Sequence, residues 1–144
     1  LAQGVFFGIN TTHKHEHFVR AVLEGVAMGL SQVLDTFRER EDIQSLRIIG
    51  GGAKSKLWKQ IISDVCKVEL LDVSTFSDSA TSLGAAAAAG VGMGLYQNLA
   101  EAAAHIAVSG SVQPRQETQE AYALNKKRYA MLYPALKDAF HTRS

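Results

Sequence analysis

The sequence predicts an α/β fold with a small parallel sheet flanked by several helices, and three observations predict it. A short apolar strand, Leu46-Arg47-Ile48-Ile49, runs into three glycines and then into a helical pattern ending near Cys66. A second run, Val68-Glu69-Leu70-Leu71-Asp72, follows at once, and strand–helix–strand of this length implies parallel strands with a right-handed crossover. Elsewhere apolar residues recur mainly at three- and four-residue spacings, the period of helices.

The chain has 144 residues, enough for one domain with a core of its own. Fifteen basic side chains face fourteen acidic ones, interspersed rather than gathered, so no electrostatic footprint for nucleic acid is present. The single Cys66 excludes an internal disulfide and fits a reducing, cytoplasmic setting; on the apolar side of its helix it reads as a structural thiol. The uncharged run Ser79–Ala100 is long enough to raise a membrane span. Its alanines, with Gly90, Gly92 and Gly94, argue instead for a buried helix of small residues and no membrane. The opening on Leu1, with Val5-Phe6-Phe7 close behind, predicts a piece of a longer polypeptide.

Taken in order, Gly4–Ile9 is expected to be a short strand. Thr11 or Thr12 then caps a helix from about His13 to Arg38, since a hydroxyl there accepts from an early N–H. Phe18, Ala21, Val22, Gly25, Val26, Gly29, Val33 and Phe37 define its expected apolar face, with Arg20, Glu24, Ser31, Asp35 and Arg38 opposite. Glycine within a helix costs about 1 kcal/mol against alanine, so Gly25 and Gly29 imply a close neighbour. The small face Ala80, Gly84 and Ala88 of a later helix, capped by Asp78 or Ser79 and ended by Gly90, is the proposed mate. Arg38–Asp42 is a solvated connection. Asn98 with Glu101 is a capping-box pattern for a helix to about Ala107. A last helix carries Tyr122, Tyr129, Leu132, Leu136 and Phe140, with Pro134 expected to kink or break it.

The candidate site is Gly50, Gly51, Gly52, Ala53, Lys54 and Ser55. Glycines lack a Cβ, so main chain there turns freely and a ligand approaches it closely. A helix start adjoins, offering N–H groups and a positive dipole end that suit a nucleotide. A tight turn with nothing bound is the alternative. No glycine precedes Lys54, so this is not a Walker A loop. Gly50, Gly52 and Asp72 approach a dinucleotide fingerprint, but Ser55 stands where its third glycine belongs. His13 and His17 share a helix face without an obvious third ligand, and read as solvated histidines at a helix end rather than a metal site. Among the acids Asp35, Glu39, Asp64 and Asp72, none has a neighbouring nucleophile that marks it as a base.

Three blocks carry a family resemblance. Gly4–Ile9 with His17–Glu24 resembles the C-terminal signature of the FGGY carbohydrate kinases, Gly50–Gln60 resembles their adenosine-binding segment, and Leu83–Ala86 through Gly94-Leu95-Tyr96 resembles the block that follows. The triple glycine, Lys54-Ser55, Trp58 and the last helix look most like the xylulose-phosphorylating branch, with gluconate- and glycerol-type kinases also similar. The resemblance implies an actin-like, ribonuclease-H-like ATPase fold of two domains, of which this chain is most of the C-terminal, nucleotide-binding one. It implies transfer of the γ-phosphoryl of Mg-ATP to a sugar, with the aspartate base, the sugar pocket and most metal contacts outside these residues. Taken alone, the chain is then expected to be inactive. Its short sheet leaves an unpaired edge, which invites association into a homodimer.

Overall fold

The computed structural model describes residues 3–73 and 80–142. Its elements are α1 (His15–Arg38), β1 (Ser45–Ile48), a 3-10 turn (Gly51–Lys54), α2 (Lys56–Cys66), β2 (Glu69–Val73), α3 (Ala80–Gly92), α4 (Leu99–Ala104), β3 (Val108–Val112), a second 3-10 turn (Gln116–Thr118) and α5 (Gln119–His141).

The strand–helix–strand unit forms as its pattern requires. β1 pairs in parallel with β2, placing Ile48 beside Asp72. β3 then adds itself antiparallel to the other side of β2, with an irregularity between Asp72 and Val73. The sheet order β1-β2-β3 leaves β1 with one edge unpaired among the described residues. Ile61, Ile62, Val65, Val68 and Leu70 from this unit are buried with Ala27, Met28 and Leu34 of α1 and Tyr122 of α5. α2 is therefore clamped between the sheet and a layer made of α1 and α5.

α1 packs with the opposite face from the one its hydrophobic spacing indicates. Ala27, Met28, Ser31 and Leu34 are buried, whereas Val19, Val22, Val26, Leu30, Val33 and Phe37 form an exposed stripe, Phe37 at 61%. The polar residues expected to face water are instead consumed by partners. Arg20 Nη2 donates to the Tyr122 hydroxyl at 3.1 Å, which donates to Glu24 Oε1 at 2.9 Å. Lys126 Nζ donates to Ser31 Oγ at 2.6 Å and Asp35 Oδ2 at 3.1 Å. Arg38 donates from Nη1 and Nη2 to the carbonyls of Cys66 and Lys67, placing a positive charge at the C-terminal end of α2. The close neighbour of Gly29 is the Tyr129 hydroxyl of α5, which would lie 3.4 Å from an added Cβ, and not the small face of α3.

Other expectations shift for local reasons. Gly4–Ile9 is exposed coil, because no strand among the described residues lies beside it to pair with. α1 begins after Lys14 rather than after a threonine, with the Lys14 N–H donating to His17 Nδ1 at 2.9 Å. The expected caps Asp78 and Ser79 lie outside the described residues. α3 passes through Gly90 to Gly92. A Cβ on Gly90 would come within 2.8 Å of the Tyr96 ring, so this glycine serves the turn that folds back over it. Asn98 Oδ1 accepts from the Glu101 N–H at 2.9 Å as the capping pattern requires, although α4 stops at Ala104. α5 continues through the exposed Pro134.

Burial pushes the Cys66 thiol up, against the partial opposition of Lys126 and Arg38. Burial, then the bond to Glu24, pushes the Tyr122 phenol up as well. Both groups are charged only when deprotonated, so the unfolded chain releases these protons first. Their contribution is intact below the ordinary values of 9.0 and 10.0 and declines as pH rises past each. Tyr122→Phe, which leaves the 2.7 Å Arg20–Glu24 pair in place, is expected to flatten the loss of stability above pH 10 in urea titrations. An unchanged slope would show that the phenol does not ionise with unfolding.

Candidate functional site

The six residues singled out in the sequence lie together at the C-terminal end of β1. Gly50 adopts φ 84° and ψ −172°, a region essentially reserved for glycine, and this throws the chain out of the sheet. The 3-10 turn closes through Ala53 N–H to Gly50 O at 3.1 Å and Ser55 N–H to Gly52 O at 3.2 Å. Ser55 is the N-cap of α2, its Oγ accepting from Trp58 N–H at 3.2 Å while its carbonyl accepts from Lys59 N–H at 3.0 Å. Several of the N–H groups expected to greet an anion are thus satisfied internally.

What the turn offers instead is bare surface. Gly51 and Gly52 are exposed, and a Cβ built on Gly51 meets nothing within 4 Å. Gly52 backs onto Trp58, whose indole Cδ1 and Nε1 would lie 3.0 Å from such a Cβ. The indole braces the turn from inside and Gly51 faces out. Lys54 and Ser55 are exposed and Ala53 is half-buried. An apolar hollow of about 370 Å³ begins beside the turn, at Arg47, Ile49 and Val73, and continues to Leu83 and Ala87 of α3 and Leu99 of α4. A flat ring with a polar sugar suits this combination of open glycine backbone and apolar flank better than a phosphate does.

Of the acids weighed as bases, Glu39 is exposed beyond the end of α1, and the other three are engaged. Asp72 accepts two bonds from Lys59 Nζ, at 2.8 and 2.7 Å, which removes the free carboxylate that a ribose contact in a dinucleotide site requires. Fully buried Asp64 accepts from Gln60 Nε2, from the Arg115 N–H and from Arg115 Nε and Nη2 at 2.6–3.0 Å. Asp35 is bound by Lys126 and Arg38. His13 and His17 each spend Nδ1 as an acceptor for a backbone N–H, from Asn10 and Lys14, and their rings stack edge to face. Among the described residues no group of three or more His, Cys, Asp or Glu is placed to hold a metal. The Lys59–Asp72 pair is not visible in the sequence; its one signal there is Asp72 ending the strand after the glycines.

A sheet with helices packed on it and a glycine turn at a strand's C-terminal end is the mixed α/β arrangement of actin-like ATPase domains. Residues 1–93 match the model of the FGGY family of carbohydrate kinases, C-terminal domain, and the chain belongs to that family. It is 34% identical over 142 residues to an L-xylulose/3-keto-L-gulonate kinase of Escherichia coli (strain K12), covering 96% of this chain and 28% of that protein. With a xylulose kinase of the same strain it shares 33% identity over 136 residues, 94% of this chain and 28% of that one. A solved xylulose kinase from Brucella ovis superimposes with a TM-score of 0.81 at 26% identity, over 96% of this chain and 28% of that one. The chain thus spans little more than a quarter of the length of these relatives.

Proposed function

We propose that this chain is the larger part of the nucleotide-binding domain of a cytoplasmic two-domain sugar kinase, and that Gly50–Ser55 forms one wall of its adenosine site. The carrying observation is the open backbone at Gly51, inside the family-matched segment and at the end of a sheet strand. The missing share of the relatives' length, the exposed stripe of α1 and the open edge of β1 support a domain completed by further polypeptide. The exposed stripe and the open edge would bring copies of the isolated chain together as a homodimer.

Gly51, Gly52 and Ala53 lie against the adenosine, and the Trp58 indole keeps their backbone from sinking inward. Magnesium arrives with the triphosphate; Asp72, Asp64 and Asp35 are tied to Lys59, Arg115 and Lys126, and among the described residues no group of three or more His, Cys, Asp or Glu is placed to hold it. Phosphoryl transfer depends on positioning and charge stabilisation, with a carboxylate taking the sugar hydroxyl's proton. That base and the sugar pocket belong to the remainder of the kinase. D-Xylulose, converted to D-xylulose 5-phosphate, is the proposed substrate, supported by the names of the xylulose-kinase relatives; gluconokinase and glycerol kinase relatives make gluconate and glycerol the comparators.

Calorimetric titration of the chain with ATP and with NAD tests the site. Binding of ATP alone is expected; binding of NAD alone would overturn the reading. For the substrate, ADP release by the longer polypeptide containing this chain should depend on D-xylulose, and dependence on gluconate or glycerol would replace it.

A further inference from the structure

We propose that the Lys59–Asp72 ion pair is a positioning device that sets the nucleotide-facing turn against the end of the sheet. The proposal rests on the adenosine-site reading above for its functional meaning, and on the following geometry for its mechanical one. Lys59 Nζ sits between both oxygens of Asp72 at 2.8 and 2.7 Å, with the side chains only 11% and 27% exposed. Asp72 stands beside Ile48 in the parallel register, two residues before Gly50. Lys59 lies one turn into α2, and its N–H holds the carbonyl of Ser55, whose own N–H closes the 3-10 turn on Gly52 O. An unbroken path therefore runs from the strand end through the ion pair to the cap and the turn.

The surroundings keep that path stiff. Opposite Asp72, β3 carries Gly110, where an added Cβ would lie 3.7 Å from Asp72 Oδ2, and Ser109 Oγ donates to the Asp72 carbonyl at 3.3 Å. The later part of α2 needs no such help, because Ile61, Ile62 and Val65 are buried and Asp64 is held by four donors. Loss of the pair should loosen the first turn of α2 and the glycine turn while the rest of the helix stays seated.

The test uses amide hydrogen exchange of the whole chain together with titration by a fluorescent trinitrophenyl-ATP. Lys59→Met, and Asp72→Asn as the milder variant that keeps size and one hydrogen bond, should speed exchange at Gly51–Ser55 by about tenfold without changing it in α1. Both should weaken nucleotide binding by about tenfold, and Lys59→Arg should restore most of both properties. Unchanged exchange in the turn, or faster exchange spread evenly over the chain, overturns the proposal. If the turn loosens as expected but the unaltered chain takes up no nucleotide, the positioning role stands and the adenosine reading falls. If the unaltered chain takes up nucleotide but the turn stays unmoved in the variants, the adenosine reading stands and the positioning role falls.

Discussion

Gly51→Val is expected to weaken ATP binding by the chain by about tenfold or more, a loss near 1.4 kcal/mol, while its melting temperature moves by about 2 °C or less. A Cβ built there meets nothing within 4 Å, so a branched side chain has open space to enter where adenosine would lie. Its two neighbours make the contrast. At Gly52 the new side chain would strike Trp58 from 3.0 Å, so stability and binding should fall together. At Gly50, with φ 84°, even alanine is strained, at a cost of roughly 1–3 kcal/mol. Nucleotide titration and thermal melts of the three variants separate open surface from packing from backbone geometry. Unchanged affinity in Gly51→Val would take this turn out of the nucleotide site.

Asp64→Ala is expected to lower stability by about 3 kcal/mol, because a buried acceptor of several charge-assisted bonds is lost. In a domain of this size that corresponds to a fall of about 6–12 °C in Tm. The Arg115 N–H and Gln60 Nε2 would lose their carboxylate, while the Arg115 guanidinium, 42% exposed, has water within reach. Arg115→Ala, which leaves the fully buried Asp64 carboxylate with only Gln60 Nε2 and a backbone N–H as donors, should accordingly cost at least as much as Asp64→Ala. Thermal melts of the two variants check the order, and a clearly smaller loss in Arg115→Ala would place the energy in the backbone and Gln60 donors rather than in the ion pair.

The central unit was legible because its signals are local: an apolar strand, glycines that permit the sharp exit at Gly50, and a helical period. The packing of α1 was not. Its hydrophobic residues lie all round, and spacing alone favoured Val22, Val26, Val33 and Phe37 over the side where α2 and α5 sit. The decisive facts are pairings with Tyr122, Lys126 and the carbonyl of Cys66, all distant in sequence. β3 escaped notice because Val108-Ser-Gly-Ser-Val112 has little strand character of its own; it is recruited by the edge of β2 and by Ser63 Oγ, which donates to the Val112 carbonyl at 3.2 Å. Of the candidate site, the turn itself was readable in one dimension, and its brace, joining Lys59 to a residue on another strand, was not.

The bonds made by Arg115, Tyr122 and Lys126 reach back into α1 and α2 from beyond the segment that the family model matches. A shortened chain stopped at residue 96 would keep all three blocks of the family resemblance and still leave Asp64 without its arginine, Glu24 without its phenol and Ser31 without its ammonium. The residues after that point therefore act as a clasp on α1 and α2, and swapping domains between kinases of this family should succeed only when the clasp travels with the helices it closes.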